Sequence, residues 1–135
     1  MDELDQKIMG YLRKDARMPF SEIAKLLKVS EGTIRNRVER LVENGEITRF
    51  TIESLPRGVE AWIALKCNPH QPTDEIVRKL LNISGIEKVF EVTGRFDVVC
   101  LTHTQDMPRL NSTLEEIRKV NGILESECFT VLKKS

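Results

Sequence analysis

The 135-residue sequence is short of the groups from which catalytic and metal sites are usually built. Its two histidines, His70 and His103, are not spaced as a metal pair. Cys67, Cys100 and Cys128 lie far apart, form no CxxC and are odd in number, so neither a disulfide framework nor a metal cluster is expected. The three thiols read instead as small hydrophobes buried on strands. No nucleophile elbow, phosphate loop or paired carboxylate stands out, which argues against an enzyme and leaves no cofactor to expect. Purely apolar runs such as Ile63-Ala64-Leu65 and Val98-Val99-Cys100-Leu101 fall far short of the roughly 20 residues a bilayer requires, so no membrane partner is expected. The opening Asp2-Glu3-Leu4-Asp5 is acidic and helix-like, unlike the basic and then apolar start of a secretory leader, and the expected location is cytoplasmic.

Apolar residues make up 40% and charged residues 31%, the profile of an ordinary soluble globular protein of one domain or two small ones. The formal net charge is zero, which by itself does not mark a nucleic-acid binder. Its distribution does. From Lys28 to Arg40 the basic residues Lys28, Arg35, Arg37 and Arg40 face only Glu31 and Glu39, so any DNA contact must be local and strong binding needs more than one copy of the segment.

Leu4, Ile8 and Tyr11/Leu12 recur at helical spacing over residues 3–14, with Asp2, Glu3 and Asp5 where the helix dipole favours anions. Asp15 to Pro19 breaks that pattern. Ser21 is a plausible N-cap for a second helix, Glu22 to Leu27, with Ile23, Leu26 and Leu27 as its apolar face. Lys28-Val29 is a tight connection, Ser30 caps a third helix from Glu31 to about Asn44, and Gly45 ends it. Glu46 to Ile52 then alternates, which predicts a short hairpin or wing. Residues 53–58, with Pro56 and Gly58 among polar neighbours, read as a linker between a winged helix-turn-helix over 1–52 and a second domain over 59–135.

The second half alternates strands and helices: strand Val59–Cys67, helix from Thr73 to near Asn82, strand Ile86–Thr93, a turn at Gly94-Arg95-Phe96-Asp97, strand Val98–Thr104, helix Asp106–Val120, strand Ile123–Leu132. The order β-α-β-β-α-β is that of the ferredoxin-like arrangement. The fold class is therefore α+β, a winged helix-turn-helix followed by a ferredoxin-like domain.

The chemistry of the first half lies in its third helix. Ile34, Val38 and Leu41 share one face and should pack inward. Gly32, Thr33, Arg35, Asn36, Arg37 and Arg40 are then left on the opposite and flanking positions. Gly32 leaves room for close approach to a groove floor, and Thr33 and Asn36 suit base edges. Arg35, Arg37 and Arg40 suit phosphates, or guanine if they point inward, with Lys28 and Arg49 extending the phosphate track. The expected partner is double-stranded DNA.

These segments carry a resemblance. The stretch from Leu4 to Thr51 is similar to the N-terminal domain of the Lrp/AsnC, or feast/famine, transcription regulators, in Leu4-Asp5, Leu12 to Arg17, Ser30 to Leu41, and Gly45 to Phe50. Val92 to Cys100, VTGRFDVVC, resembles that family's effector-domain signature. The resemblance implies a homodimer built through the ferredoxin-like sheets, associating further to octamers or larger rings. It also implies a small-molecule effector, an amino acid, bound between dimers near Gly94, Arg95, Phe96 and Asp97 and near Ser126 and Cys128 on the last strand. Cys128 departs from the small hydroxyl residue that relatives place there. Physically, Gly94 suits a positive φ, Arg95 offers a fork for a carboxylate, and Asp97 an acceptor for an α-ammonium group.

Other readings are weaker. Siroheme decarboxylases look like the same two-domain arrangement but use basic and histidine side chains around a tetrapyrrole, and only His70 and His103 are present here. Base stacking of RNA on the sheet would use Trp62, Phe90 and Phe129, which lack a basic cluster around them. A pure assembly protein that senses nothing is the third alternative.

Overall fold

The computed structural model describes residues 1–55 and 57–135. The expected linker at 53–58 contains Pro56, which lies outside the described residues. The chain divides into two compact units, Met1–Ser54 and Leu55–Ser135.

In the first unit, α1 (Glu3–Lys14) begins in a capping box, Asp2 and Asp5 each accepting from the other's backbone N–H. The second helix, α2, runs Phe20–Leu27. Its start differs from the sequence expectation: Pro19, not Ser21, holds the N-cap position, its carbonyl accepting from the Glu22 and Ile23 N–H groups with no side-chain cap, and Ser21 falls inside the helix. Leu26 also departs from expectation. The inward row is Phe20, Ile23, Ala24 and Leu27 at helical spacing, which turns Leu26 toward solvent.

At the end of α2, Lys28 takes the left-handed conformation (φ 58°, ψ 44°), the one non-glycine residue among those described to do so. That conformation costs a side chain roughly 1–2 kcal/mol, and it reverses the chain within two residues. Ser30 then caps α3 (Glu31–Glu43), its Oγ accepting from the Thr33 N–H at 3.1 Å. Gly45 (φ 76°) closes α3 in a Schellman motif, in which Glu46 N–H bonds Leu41 O at 2.9 Å and Gly45 N–H bonds Val42 O at 3.0 Å. Ile8 and Leu12 of α1, Ile23 and Ala24 of α2, and Ile34 and Val38 of α3 form the buried core.

The wing is not seen. Among the described residues no strand lies between Glu43 and Val59. Ile47 packs against the helical core and its N–H bonds Leu41 O, but Phe50 and Ile52 are exposed. The alternation is that of a strand, but a strand needs a partner row of backbone groups, and the few residues left in this unit could form only a marginal hairpin.

The second unit has the elements expected, in a four-stranded antiparallel sheet of order β2-β3-β1-β4: β1 (Val59–Cys67), α4 (Thr73–Leu81), β2 (Ile86–Glu91), β3 (Val98–Thr104), α5 (Met107–Arg118) and β4 (Ile123–Thr130). This is the ferredoxin-like topology. One sheet face, with Ile63, Leu65, Val98 and Cys100, is covered by Ile76 and Leu80 of α4 and Ile117 of α5. The other face bears Trp62, Leu101, Val99, Phe90 and Phe129 across the register and carries no helix of this unit. There the Trp62 and Phe90 rings stack at 6.2 Å. Of the three cysteines, Cys67 and Cys100 are buried as expected, while Cys128 is exposed because β4 is an edge strand. Burial pushes the Cys100 thiol up to about 12 and raises that of Cys67, so both stay protonated and unreactive.

Candidate nucleic-acid interface and effector turn

With Ile34, Val38 and Leu41 buried, α3 is held by one face and presents the other. Gly32, Asn36 and Arg40, at i, i+4 and i+8, form an exposed row along it. A Cβ added at Gly32 would meet nothing nearer than Ser30 Oγ at 3.9 Å. Packing within the unit therefore does not require glycine there. Thr33 is half-buried, with its hydroxyl hydrogen-bonded to Ser30 Oγ at 2.8 Å, so it serves the helix start before it serves a base. Arg35 lies exposed and is loosely paired with Glu31 one turn back at 3.1 Å, a bond that water and a competing anion both weaken. Lys28 and Arg49 are exposed, Lys28 on the left-handed turn and Arg49 on the segment after α3.

Arg37 is placed differently from the other candidates. Its guanidinium donates to Asp2 and, at 3.3 Å, to Asp5, joining α3 to the first turn of α1. Only 26% of its side chain is exposed. The Arg37 hydrogen bond, helped by the Asp5 backbone N–H, holds the Asp2 carboxyl down to about 2, and the bond to Asp2 raises Arg37 in turn. As one of the phosphate-track candidates, Arg37 is thus taken up inside its own unit. A readable signal existed: Asp5 lies on the apolar stripe of α1 with Ile8 and Leu12, and a carboxylate buried there needs a cation.

In the second unit the turn before β3 stands close to β4. Arg95 Nη2 reaches Glu125 Oε1 at 3.7 Å, and its guanidinium lies 5.5 Å from the centre of the Phe96 ring. Gly94 has φ 118°, as expected, and nothing within 4 Å of an added Cβ. Asp97 is more committed than the sequence suggested. Its Oδ2 accepts from Cys67 N–H at 2.8 Å, and its own N–H bonds Leu65 O at 2.9 Å. The β1–β3 ladder ends at Leu65 opposite Val98, and Asp97 supplies the acceptor for the Cys67 N–H just beyond that end. Ser126 and Cys128 stand opposite Leu65 and Ile63, on the helix-facing side of β4 but at its open edge. His70 follows the end of β1, whereas His103 pairs across from Glu60 at its start, so the two histidines sit at opposite ends of the sheet. No helix among the described residues is long and apolar enough to cross a membrane.

A trihelical unit with a left-handed turn before a capped, outward-facing third helix, followed in sequence by a ferredoxin-like unit, defines a class: helix-turn-helix regulators with an appended ligand-binding domain. Residues 1–42 match the AsnC-type helix-turn-helix domain and residues 60–135 the Lrp/AsnC ligand-binding domain. The HTH-type transcriptional regulator LysM of Sulfurisphaera tokodaii is 40% identical over 134 residues, covering 98% of this chain and 96% of its own. AsnC of E. coli superposes with a TM-score of 0.79 at 25% identity, covering 99% of this chain and 93% of its own. A feast or famine regulatory protein of M. tuberculosis, solved in complex with L-methionine, has the same fold (TM-score 0.84, 23% identity, 98% and 92% covered). The chain belongs to the Lrp/AsnC family of transcription regulators.

Proposed function

We propose that this protein binds double-stranded DNA sequence-specifically through α3 and adjusts that binding to a small effector, an amino acid, held between dimers of the ferredoxin-like unit. The observation that carries the DNA half is the exposed row Gly32-Asn36-Arg40 on a helix whose other face is fully packed. Asn36 has the paired donor and acceptor that suit adenine, while Arg40, Arg35, Lys28 and Arg49 supply phosphate contacts. For the effector half, the support is the open Gly94 turn and the exposed Arg95 fork, together with the L-methionine complex of a relative of like fold. Asp97 here shapes the turn through Cys67, so the effector's carboxylate on Arg95 is the leading contact, with Phe96, Ser126 and Cys128 around it. The uncovered aromatic sheet face is the surface on which a homodimer would form, and octamers or larger rings would grow from dimers. A tetrapyrrole enzyme of the same architecture would need its histidines gathered, and His70 and His103 lie at opposite sheet ends.

The test is a gel-shift salt titration on fragments selected from genomic DNA, with and without each of the twenty amino acids. Asn36→Ala is expected to lower discrimination between selected and scrambled duplex, at a cost of about 1–3 kcal/mol. Arg40→Ala should weaken binding to all DNA and reduce the salt slope by about 0.9. An unchanged slope removes Arg40 from the phosphate track, and calorimetry showing no heat with any amino acid removes the effector half.

A further inference from the structure

Arg37 looks at first like one more phosphate ligand, since it lies on α3 between Asn36 and Val38 and carries the same charge as Arg35 and Arg40. Its surroundings say otherwise. Two carboxylates from the first turn of α1, Asp2 and Asp5, both meet Nη1 of its guanidinium. They are locked to each other first: Asp2 Oδ1 accepts the Asp5 N–H at 2.9 Å and Asp5 Oδ2 accepts the Asp2 N–H at 3.0 Å. The capping box thus fixes both carboxylates before Arg37 arrives, and Asp5 is buried against the core. A receptor so pre-organised sets where the middle of α3 sits relative to α1. It does so one residue from Asn36, and it adds a directional, charged contact to a helix otherwise held by non-directional aliphatic packing.

We infer that the Asp2–Asp5–Arg37 cluster is a positioning clamp that fixes the rotation of α3, so that Arg37 governs sequence discrimination without touching DNA. This rests on the proposal that α3 reads DNA. The selected-to-scrambled ratio separates it from simple electrostatics. Replacing Asp5 by Asn removes a negative charge close to the interface, which on charge alone strengthens binding to any duplex. Charge alone leaves the selected-to-scrambled ratio unchanged, whereas the clamp requires that ratio to fall, because the helix loses its reference point. A positioning residue also leaves the number of neutralised phosphates unchanged.

The experiment uses the full-length chain and two probes, a duplex enriched by the wild-type protein from a random library and a scrambled duplex of the same composition. Asp5→Asn, Arg37→Ala and the double variant are compared across a salt series, at a temperature where circular dichroism shows each to be folded. Should Asp5→Asn fail to fold, Asp2→Asn replaces it, since Asn still caps a helix and Asp2 is the more exposed partner. The expected result is a fall of about tenfold in the selected-to-scrambled ratio for each single variant, equal to one lost base contact. The double variant is expected to be no worse than either single one, with salt slopes matching the wild type. A slope that drops by about 0.9 in Arg37→Ala, with the aspartate variant neutral, makes Arg37 a phosphate ligand and overturns the clamp. Unchanged ratios in folded variants reduce the cluster to a staple of the fold, which also overturns it. If the wild-type protein enriches no sequence at all, the DNA reading fails and the clamp's role in it falls with that reading.

Discussion

A glycine inside a helix costs about 0.5–1 kcal/mol relative to alanine, so Gly32 in the first turn of α3 needs a reason. The surrounding fold offers none, since a methyl group there would meet only Ser30 Oγ at 3.9 Å. On the proposed DNA reading the reason is external: a duplex approaches the backbone there more closely than a Cβ permits. Gly32→Ala is therefore expected to raise the stability of the helical unit by up to about 1 kcal/mol in urea denaturation while weakening binding to a selected duplex. Retained affinity in the stabilised variant would remove the close-approach argument. At this scale the sequence was readable where a residue answers to its neighbours, as Gly45, Ser30 and Gly94 do. For Arg37 it showed one half only: a carboxylate on the apolar stripe of α1 asks for a cation, but which cation meets it, 32 and 35 positions from its partners, is set by the fold. A side chain's charge is visible in a sequence, but the group that neutralises it across the fold is not.

Periodicity carries whole elements well. It placed α1, α3, β1 and β3 close to their observed ends, because each buries one stripe or one face against a single core. It overreached at Glu46–Ile52, where alternation describes a strand but says nothing about the pairing partner that makes one. At the turn before β3, geometry adds a duty the sequence hid. Asp97 ties the turn to β1 by satisfying the Cys67 N–H just beyond the end of the β1–β3 ladder. Removing that acceptor strands a backbone donor, and hydrogen bonds to charged groups contribute about 1.5–3 kcal/mol. Asp97→Ala is accordingly expected to destabilise the ferredoxin-like unit by about that amount. Asp97→Asn, which keeps an oxygen in place, should lose markedly less. Equal losses in chemical denaturation would mean that the charge of Asp97, rather than its acceptor oxygen, holds the turn.

For the whole molecule the deciding quantities are a net charge of zero and an exposed aromatic row on one sheet face. With Arg37 held by aspartates, the proposed DNA reading leaves Lys28, Arg35, Arg40 and Arg49, all exposed, for phosphates. Four contacts give a salt slope of roughly −4, and two chains acting together give roughly −7. The aromatic face with Trp62, Phe90 and Phe129 is where a second copy would complete the pair, since an apolar sheet face of this kind is favoured when another layer covers it. Phe129 is suited to test this. It lies on an edge strand, is 51% exposed in the single chain, and stands across from Trp62, so a charge there spares the internal core. Beside Glu127 and Glu125 on the same strand, a further carboxylate also sets the two copies against each other. Phe129→Glu is expected to sediment as a smaller species than the wild type and to bind the selected duplex with about half the wild-type salt slope. An unchanged sedimentation coefficient would move the dimer contact off this face. A smaller species that kept the full slope would show that each head engages DNA alone, and the two-copy account of strong binding would fail.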